Sequence, residues 1–298
     1  MDLKDLAIGT VFLLQSTVGI VGNFSLLSCY LIRYYIDQTL KTTDLILTHL
    51  FTANCLIIFS KGMLETIGAL GMKTFFSGFG CKLLLYVQRL GRSMSIGTTC
   101  LLSIVQAITI SPSDSCWNCL KFKAPKHIGL FTSLCWMFYM SVNMIFPVYM
   151  SINGHNNNLT QESDMKYCST AGHDGLTSSL YMMIFVLPEI LLSVLMIWSS
   201  SSMVVILYRH KQQVQHIRSS TASSRTSPEA RATQSILVLV FTFLGFYALS
   251  SILQGCVAII YSPGWWLMNI TAIISMCFPT VGPFVMSHDA TVPRLCYS

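Results

Sequence analysis

The sequence predicts an all-α membrane protein, a bundle of seven transmembrane helices with an extracellular N-terminus and a cytoplasmic C-terminus. Hydrophobic residues make up 53% of the 298 residues and charged residues only 10%, whereas charged residues make up about 25% of a typical soluble domain. A soluble fold of this length needs more polar residues to cover its surface. The few charges fall between long apolar runs, which are typical of membrane-spanning helices.

Seven apolar stretches are long enough to cross a bilayer. The first, Leu6 to Ile32, contains no acidic or basic residue. The charge-free stretch from Ala232 to His288 is too long for one crossing, and the turn signal at Ser262–Gly264 divides it in two. Helices are expected throughout, because only helices satisfy their own backbone groups in hydrocarbon. We therefore expect a single seven-helix domain, 1–298, with spans at about 7–32, 45–68, 81–110, 128–150, 176–208, 232–260 and 265–287.

The basic residues place the N-terminus outside, because Lys and Arg favour cytoplasmic loops. Of the 18 Lys and Arg residues, eleven fall in the inner loops and tail of this topology and five in the outer segments. Asn158 begins a glycosylation sequon in the second outer loop, and this modification needs a lumenal surface. Cys81, at the outer start of span three, can form a disulfide with Cys168 of that loop, since this side is oxidising. The alternative is two free thiols. The expected location is the plasma membrane.

Charged side chains inside the spans are the first candidates for function, because such charges are costly in lipid and face the bundle interior. Arg89 and Arg92 share roughly one helix face, and they lie about 12 and 16 Å below the outer start of span three at 1.5 Å per residue. Glu189 lies at a similar depth, about 20 Å into span five, so an Arg–Glu pair is expected. The alternative is an ion pair that only fixes helix packing. The candidate ligand-binding residues are Gln88, Arg89, Arg92, Glu189 and Tyr247.

Other polar residues in the spans favour structural roles. Lys61 and Glu65 are four residues apart and are expected to pair at the outer membrane interface. His49 and Asn54 in span two are expected to form interhelical hydrogen bonds. Asn23 in span one is expected to be a packing amide close to Asn54 or to span seven.

Seven helices, an outer N-terminus and a bridge from the third helix to the second outer loop are the plan of G-protein-coupled receptors. Several segments resemble one family more closely, the vomeronasal type-1 receptors. The resemblance covers nearly the whole chain, and the combination of segments is specific. These segments are 49–62 (HLFTANCLIIFSKG), 89–99 (RLGRSMSIGTT), 100–112 (CLLSIVQAITISP), 208–211 (YRHK), 227–234 (SPEARATQ) and 277–280 (CFPT) with Pro283.

The resemblance implies a chemosensory receptor that binds a pheromone-like small molecule within the helix bundle and activates a heterotrimeric G protein of the inhibitory type. In this superfamily the G protein inserts between the inner ends of helices three, five and six. The basic inner loop there is also expected to touch anionic membrane lipid. No nucleic-acid partner is expected. The residues that the resemblance places at the G-protein surface are Gln106, Ile110, Arg209, Lys211 and Arg231.

Two motifs that usually carry the switch of large rhodopsin-like receptors are missing. Val105-Gln106-Ala107 occupies the place of Asp-Arg-Tyr, and span seven has no Asn-Pro-x-x-Tyr. Pro279 and Pro283 are therefore the candidate hinges, because proline removes a backbone hydrogen bond and kinks a helix. The alternative for both prolines is a static kink.

Other functions remain as alternatives. A bitter-taste-type receptor has a similar size, but Cys81 with Cys168 and the Gln106–Pro112 stretch argue against it. A transporter is expected to show repeated halves with interrupted helices, and a channel a polar pore stripe, and the sequence has neither pattern. A family member that has lost signalling is a third alternative. The sequence contains no phosphate-binding loop, nucleophile elbow or metal-ligand spacing, so enzyme activity, a cofactor and a metal site are not expected.

Overall fold

The computed structural model describes residues 3–37, 41–71, 78–111, 118–145, 163–165, 168–170, 187–217, 228–260 and 264–287. In these ranges the chain forms seven helices and one short β-hairpin. The helices are α1 (Leu3–Asp37), α2 (Thr42–Ala69), α3 (Gly78–Ile110), α4 (Asn118–Asn143), α5 (Leu187–Ile217), α6 (Pro228–Ile259) and α7 (Trp265–Ser287). The hairpin consists of β1 (Ser163–Met165) and β2 (Cys168–Thr170), which pair antiparallel with Met165 opposite Cys168.

The predicted helical membrane fold is confirmed. Six of the described helices are long and apolar enough to cross a membrane. The remaining one, α4, carries Lys121, Lys123 and Lys126 in its first part. Its apolar remainder is shorter within the described residues than the roughly 20 residues that a crossing needs.

The bundle is organised around α3, which packs against α2, α4, α5 and α6, while α7 lies against α1, α2 and α6. We call the end that carries the start of α1 the outer end, and the opposite end the inner end. The main core includes Tyr30, Phe51 and Leu102, which are almost completely buried. Leu14 and Val21 of α1 are at least 60% exposed. This apolar face points away from the bundle and suits contact with lipid tails.

The outer end of α2 is closed by a glycine. Gly71 has a φ of 76°, a left-handed conformation in which a side chain would be strained. Its N–H donates to the carbonyl of Gly68 at 3.1 Å, and the N–H of Leu70 donates to the carbonyl of Thr66 at 3.1 Å. These bonds satisfy carbonyls of the last turn of α2, and the helix stops at Ala69.

Polar side chains join the helices at several levels. The indole N–H of Trp136 in α4 donates to Nδ1 of His49 in α2 at 3.2 Å. The hydroxyl of Ser95 in α3 donates to Oδ1 of Asn54 in α2 at 3.2 Å. The structure thus places His49 and Asn54 in interhelical hydrogen bonds, as expected for polar groups in a membrane bundle. Ser103 of α3 is also hydrogen-bonded to Ser199 of α5.

Asn23 connects α1 to the proline-containing part of α7. Its side chain is completely buried, and Nδ2 donates to the carbonyl of Gly19 at 2.7 Å and to that of Pro279 at 2.9 Å. Pro283 has no N–H, so the carbonyl four residues earlier, that of Pro279, loses its partner within the helix. Asn23 supplies the missing donor from the neighbouring helix. Of the two expected neighbours, the amide therefore bonds to helix seven.

Replacing Asn23 with leucine is expected to leave the Pro279 carbonyl buried without a partner. An unsatisfied buried acceptor costs about 1–3 kcal/mol, so the thermal-unfolding midpoint of the purified protein is expected to fall by several degrees. The second change Pro283→Ala restores an N–H within α7, and the double variant is expected to recover part of the loss. Equal midpoints for Asn23→Leu and the double variant would contradict this account.

Candidate functional site

Arg92 of α3 is the centre of a charged cluster that joins three helices. Its Nε lies 3.8 Å from Oε1 of Glu189 in α5, and its Nη2 donates to the hydroxyl of Ser251 in α6 at 3.3 Å. The guanidinium carbon lies 4.7 Å from the ring centroid of Tyr247 in α6, within the range of a cation–π contact. The phenol of Tyr247 donates to Oε2 of Glu189. We call Arg92, Glu189, Tyr247 and Ser251 the Arg92 cluster.

A row of aromatic rings leads from the Arg92 cluster to α7. Tyr247 stacks on Phe243 one turn earlier, with centroids 5.6 Å apart and planes at 13°. Phe243 and Phe278 of α7 form a T-shaped pair with centroids 4.6 Å apart and planes at 85°, a favoured geometry for an aromatic pair. Phe278 directly precedes Pro279. These rings, called the aromatic row, connect the charged centre to the proline-containing part of α7.

A cavity of about 50 Å³ lies beside the Arg92 cluster and is lined by α2, α3, α6 and α7. We call it the main cavity. Its polar lining includes Lys61, Gln88, Arg92, Ser250 and Ser275, and its apolar lining includes Ile57, Phe243, Phe246 and Phe278. A space of this size holds a few waters at most, since one water in liquid occupies about 30 Å³. A larger molecule must displace side chains to enter.

The position expected for Lys61 is wrong. Lys61 is only 9% exposed, lies inside the bundle on the main cavity, and donates to the hydroxyl of Ser275 in α7. The spacing to Glu65 predicted a pair at the outer membrane interface. Glu65 does act electrostatically on Lys61, but the spacing says nothing of α7, which packs on this face of α2 and buries the lysine. A second cation besides Arg92 therefore faces the main cavity.

The structure brings most of the ligand-binding candidates together and leaves one apart. Gln88, Arg92 and Tyr247 line the main cavity, and Glu189 reaches it through Arg92 and Tyr247. Arg89 is half-buried and is not among the described residues that line this cavity. With 3.6 residues per turn, side chains three residues apart point in directions that differ by about 60° around the helix axis. That rotation separates Arg89 from Arg92.

The G-protein candidates lie toward the inner ends of the helices. Gln106 of α3 is buried and Ile110 is half-buried. Arg209 of α5 is exposed. Lys211 and Arg231 belong to α5 and α6, but their side chains lie outside the described residues. A contact that the sequence did not indicate lies on the same side of the bundle, where Arg33 of α1 and Asp44 of α2 form a salt bridge of 3.4 Å.

The remaining predicted features concern prolines, cysteines and the sequon. Pro279 and Pro283 both lie inside α7. Cys81 is disulfide-bonded, and the side chain of its partner lies outside the described residues, so the pairing with Cys168 stays a prediction. Cys29 of α1 is also disulfide-bonded, to a partner outside the same set. Asn158 lies outside the described residues.

Sequence reasoning identified Tyr247 but not Ser251, Ser275, Phe243 or Phe278 as parts of the site. Ser251 lies four residues after Tyr247 and therefore on the same helix face, a signal that the sequence did contain. Ser275 and Phe278 gave no such signal, since they look like ordinary residues of an apolar helix. Among the described residues no three His, Cys, Asp or Glu side chains come together as metal ligands would.

Comparison with known proteins agrees with this architecture and identifies the family. The family model of the vomeronasal organ pheromone receptor family matches residues 6–298. The chain is 48% identical to vomeronasal type-1 receptor 4 of Homo sapiens over 299 residues, covering 100% of this chain and 99% of that protein. It is 49% identical to vomeronasal type-1 receptor 2 of Homo sapiens, covering 95% and 72%. It is 44% identical to vomeronasal type-1 receptor 3 of Homo sapiens, covering 99% and 95%.

A match over nearly the whole chain confirms the resemblance that the sequence motifs indicated. This is a family of receptors and not of enzymes. Together with the membrane-competent helices, the matches establish that the chain belongs to the vomeronasal organ pheromone receptor family, as a chemosensory multi-pass membrane receptor of the G-protein-coupled type.

Proposed function

We propose that the chain binds a pheromone-like small molecule at the main cavity and, in response, activates a heterotrimeric G protein of the inhibitory type. The proposal rests chiefly on the Arg92 cluster, which joins α3, α5 and α6 beside a cavity and is connected to α7 through the aromatic row. A molecule that enters there contacts four helices at once. We further propose that residues 1–298 act as one receptor domain with seven spans.

The charges of the lining favour a ligand with a polar or anionic group. Lys61 and Arg92 both present basic side chains, Glu189 pairs with Arg92, and Glu65 acts electrostatically on Lys61. Gln88 and Ser250 add hydrogen-bonding groups, while Phe243, Phe246 and Ile57 offer apolar surface. Ligand sites combine these features, with a mainly apolar wall and a few polar groups that fix orientation.

Because the main cavity is small, a ligand can bind there only if the receptor changes its conformation. A drug-sized ligand fills several hundred Å³, whereas this cavity measures about 50 Å³. A ligand must therefore displace side chains of the lining, and Phe243 of α6, which contacts Phe278 of α7, is one of them. A ligand shifts an equilibrium only if it binds the two states differently, and the open state is the one with room for it.

We propose that this movement is relayed to the inner ends of the helices, where Gln106, Ile110, Arg209, Lys211 and Arg231 face the G protein. Pro279 and Pro283 are the proposed hinges of α7, since each lacks the N–H that would stiffen the helix. A disulfide between Cys81 and Cys168 is proposed to tie the second outer loop to α3, and Asn158 in that loop is the proposed glycosylation site. The inner surface is also proposed to contact anionic lipid.

A screen of small molecules that carry one polar or anionic group on an apolar body tests this proposal in cells that express the chain, with dissociation of individual G-protein types as the readout. We expect a saturable response through the inhibitory type. For the active compound, Tyr247→Phe is expected to lower potency about tenfold, because the phenol holds Glu189, and through it Arg92, in the geometry that the ligand meets, and a hydrogen bond to a charged group contributes about 1.5–3 kcal/mol.

Tyr34→Phe is the matched control, since Tyr34 is an exposed tyrosine of α1 far along the chain from the Arg92 cluster, and its potency is expected to equal that of the unmodified receptor. Equal potency of Tyr247→Phe would argue against the main cavity. Compound-dependent flux through the purified protein in liposomes, without nucleotide exchange, would favour a transporter instead.

A further inference from the structure

Lys61 is the one primary amine on the main cavity within the described part of the chain. The lysine is 9% exposed, and the lining around it includes the apolar side chains of Ile57, Ile274 and Phe278. Its amine donates to the hydroxyl of Ser275, which belongs to the same lining. The reactive end of Lys61 therefore lies at the main cavity and not in the lipid.

The two basic residues of the main cavity have different surroundings. Arg92 pairs with Glu189 and donates to Ser251, and its guanidinium always keeps its charge. Lys61 has no carboxylate beside it on the described lining, while Glu65 and Arg92 act on it electrostatically with opposite signs. Lysines in an apolar pocket or beside a second cation are the ones that form imines with carbonyl compounds. Lys61 meets both conditions.

Building on the main cavity as the proposed ligand site, we propose that Lys61 binds the ligand covalently, as an iminium, and that the ligand is a small apolar aldehyde. The lysine nitrogen attacks the carbonyl carbon, and a C=N bond replaces the C=O bond. The carbonyl oxygen leaves as water with the two protons that the ammonium loses. Ammonium and aldehyde thus give iminium and water, the positive charge is kept, and no oxidant or reductant is needed.

The lining of the main cavity suits this product. The hydrocarbon body of the aldehyde has apolar partners in Phe243, Phe246 and Ile57. Water reverses the reaction by hydrolysis, and a cavity of about 50 Å³ has room for few waters. A ketone carries a second carbon group at the reacting centre and needs more room there. An aldehyde is therefore the favoured carbonyl class.

Iminium formation changes a polar contact between α2 and α7. An ammonium has three N–H donors, and the iminium keeps only one of them. The hydroxyl of Ser275 accepts from Lys61 and donates to the carbonyl of Ala272 at 2.7 Å. Ser275 lies four residues before Pro279, about one helix turn from this proposed hinge. The covalent step thus acts on the part of α7 that is proposed to move.

Reductive trapping tests this site on the purified full chain in nanodiscs of phosphatidylcholine, a lipid without a primary amine. Hexanal is the probe, sodium cyanoborohydride converts each iminium to a stable secondary amine, and peptide mass spectrometry locates the modified lysines. Lys4 of α1 is the internal reference, because it is an exposed lysine. We expect half-modification of Lys61 at a hexanal concentration about tenfold lower than for Lys4, the factor that corresponds to burial of about two CH₂ groups.

A competitor and two variants show whether the modification takes place in the main cavity. Hexan-1-ol has the same chain but forms no imine, and it is expected to protect Lys61 and not Lys4. Ser250→Phe places a ring in the main cavity, which Ser250 lines, and is expected to remove the preference for Lys61. Leu249→Phe is the matched control, since Leu249 is the neighbour of Ser250 on α6 and is 43% exposed. That variant is expected to keep the preference.

Three results would overturn the covalent site: modification of Lys61 no easier than that of Lys4, modification that hexan-1-ol leaves unchanged, or an unchanged preference in Ser250→Phe. The first two come from the unmodified chain and decide the matter even if the variant does not fold. Receptor activation by some compound without modification of Lys61 would leave the proposed function standing and reject the covalent site. Selective modification of Lys61 without any G-protein response would support the site and argue against the proposed function.

Discussion

Replacing Gly91 with alanine is expected to push α3 away from α2 and to destabilise the receptor strongly. A Cβ at this position would lie 3.0 Å from the carbonyl oxygen of Ala53, 3.2 Å from the backbone nitrogen of Ile57 and 2.9 Å from Cγ1 of Ile57. Two of these atoms belong to the backbone of α2 and cannot rotate out of the way. Overpacking in a close-packed interior costs about 1–3 kcal/mol. Gly91→Val is expected to destabilise the receptor more than Gly91→Ala.

The consequence is large because α2 and α3 form the most extensive helix pair among the described residues. Small residues at such crossings let two backbones approach closely in a membrane. Gly245→Ala in α6 is the matched control, since a Cβ there meets nothing within 4 Å. That variant gains about 1 kcal/mol of intrinsic helix preference. The thermal-unfolding midpoints of the purified variants measure both effects, and equal midpoints for the two alanine variants would refute the close-contact argument.

The fold could be predicted from the sequence because long charge-free runs have one favourable environment, the lipid bilayer. Charge-free runs of helical length must lie in lipid, and in lipid they must be helical. Finer assignments depend on which face of a helix meets which neighbour. The sequence located Asn23 close to Asn54 or helix seven, but only the packing of α1 on α7 shows that its amide reaches the carbonyl freed by Pro283.

The site was accessible only in part, for the same reason. Charge inside a span marked Arg92 and Glu189, and similar depth suggested an Arg–Glu pair. Depth alone did not decide whether Arg89 or Arg92 forms the pair, since depth along a helix does not tell which way a side chain points from the helix axis. Lys61 was placed at the interface because its spacing to Glu65 was the only available signal. Its burial against Ser275 follows from the contact of α2 with α7.

Removing the cation of the Arg92 cluster is expected to harm the receptor more than removing its anion. In Arg92→Met the Glu189 carboxylate remains inside the bundle, where the phenol of Tyr247 still donates to it but no cation of the cluster offsets its charge. An uncompensated buried charge costs about 3–5 kcal/mol. Because the two side chains are 27% and 23% exposed, we expect the lower end of that range. Surface expression and the thermal-unfolding midpoint are both expected to fall.

Glu189→Gln has a milder expected effect, since the Arg92 cation keeps two contacts, whereas the carboxylate left in Arg92→Met keeps one. The amide oxygen of glutamine still accepts from Tyr247, and Arg92 keeps its bond to Ser251 and its position over the Tyr247 ring. The double variant Arg92→Met with Glu189→Gln removes both charges and is expected to be more stable than Arg92→Met alone. The four midpoints form a double-mutant cycle whose coupling energy isolates the pair. Additive losses would contradict a direct interaction.

The same variants separate a ligand contact from a packing role. If the pair only fixes helix packing, Glu189→Gln, with its near-native stability, responds to the active compound with unchanged potency. If the carboxylate holds Arg92 and Tyr247 in the geometry that the ligand meets, potency falls in Glu189→Gln while the midpoint does not. We expect the second result, because Tyr247 and Arg92 both line the main cavity and both contact Glu189. Without the carboxylate, the side chains of Arg92 and Tyr247 are held less firmly, so the surface that the ligand contacts changes.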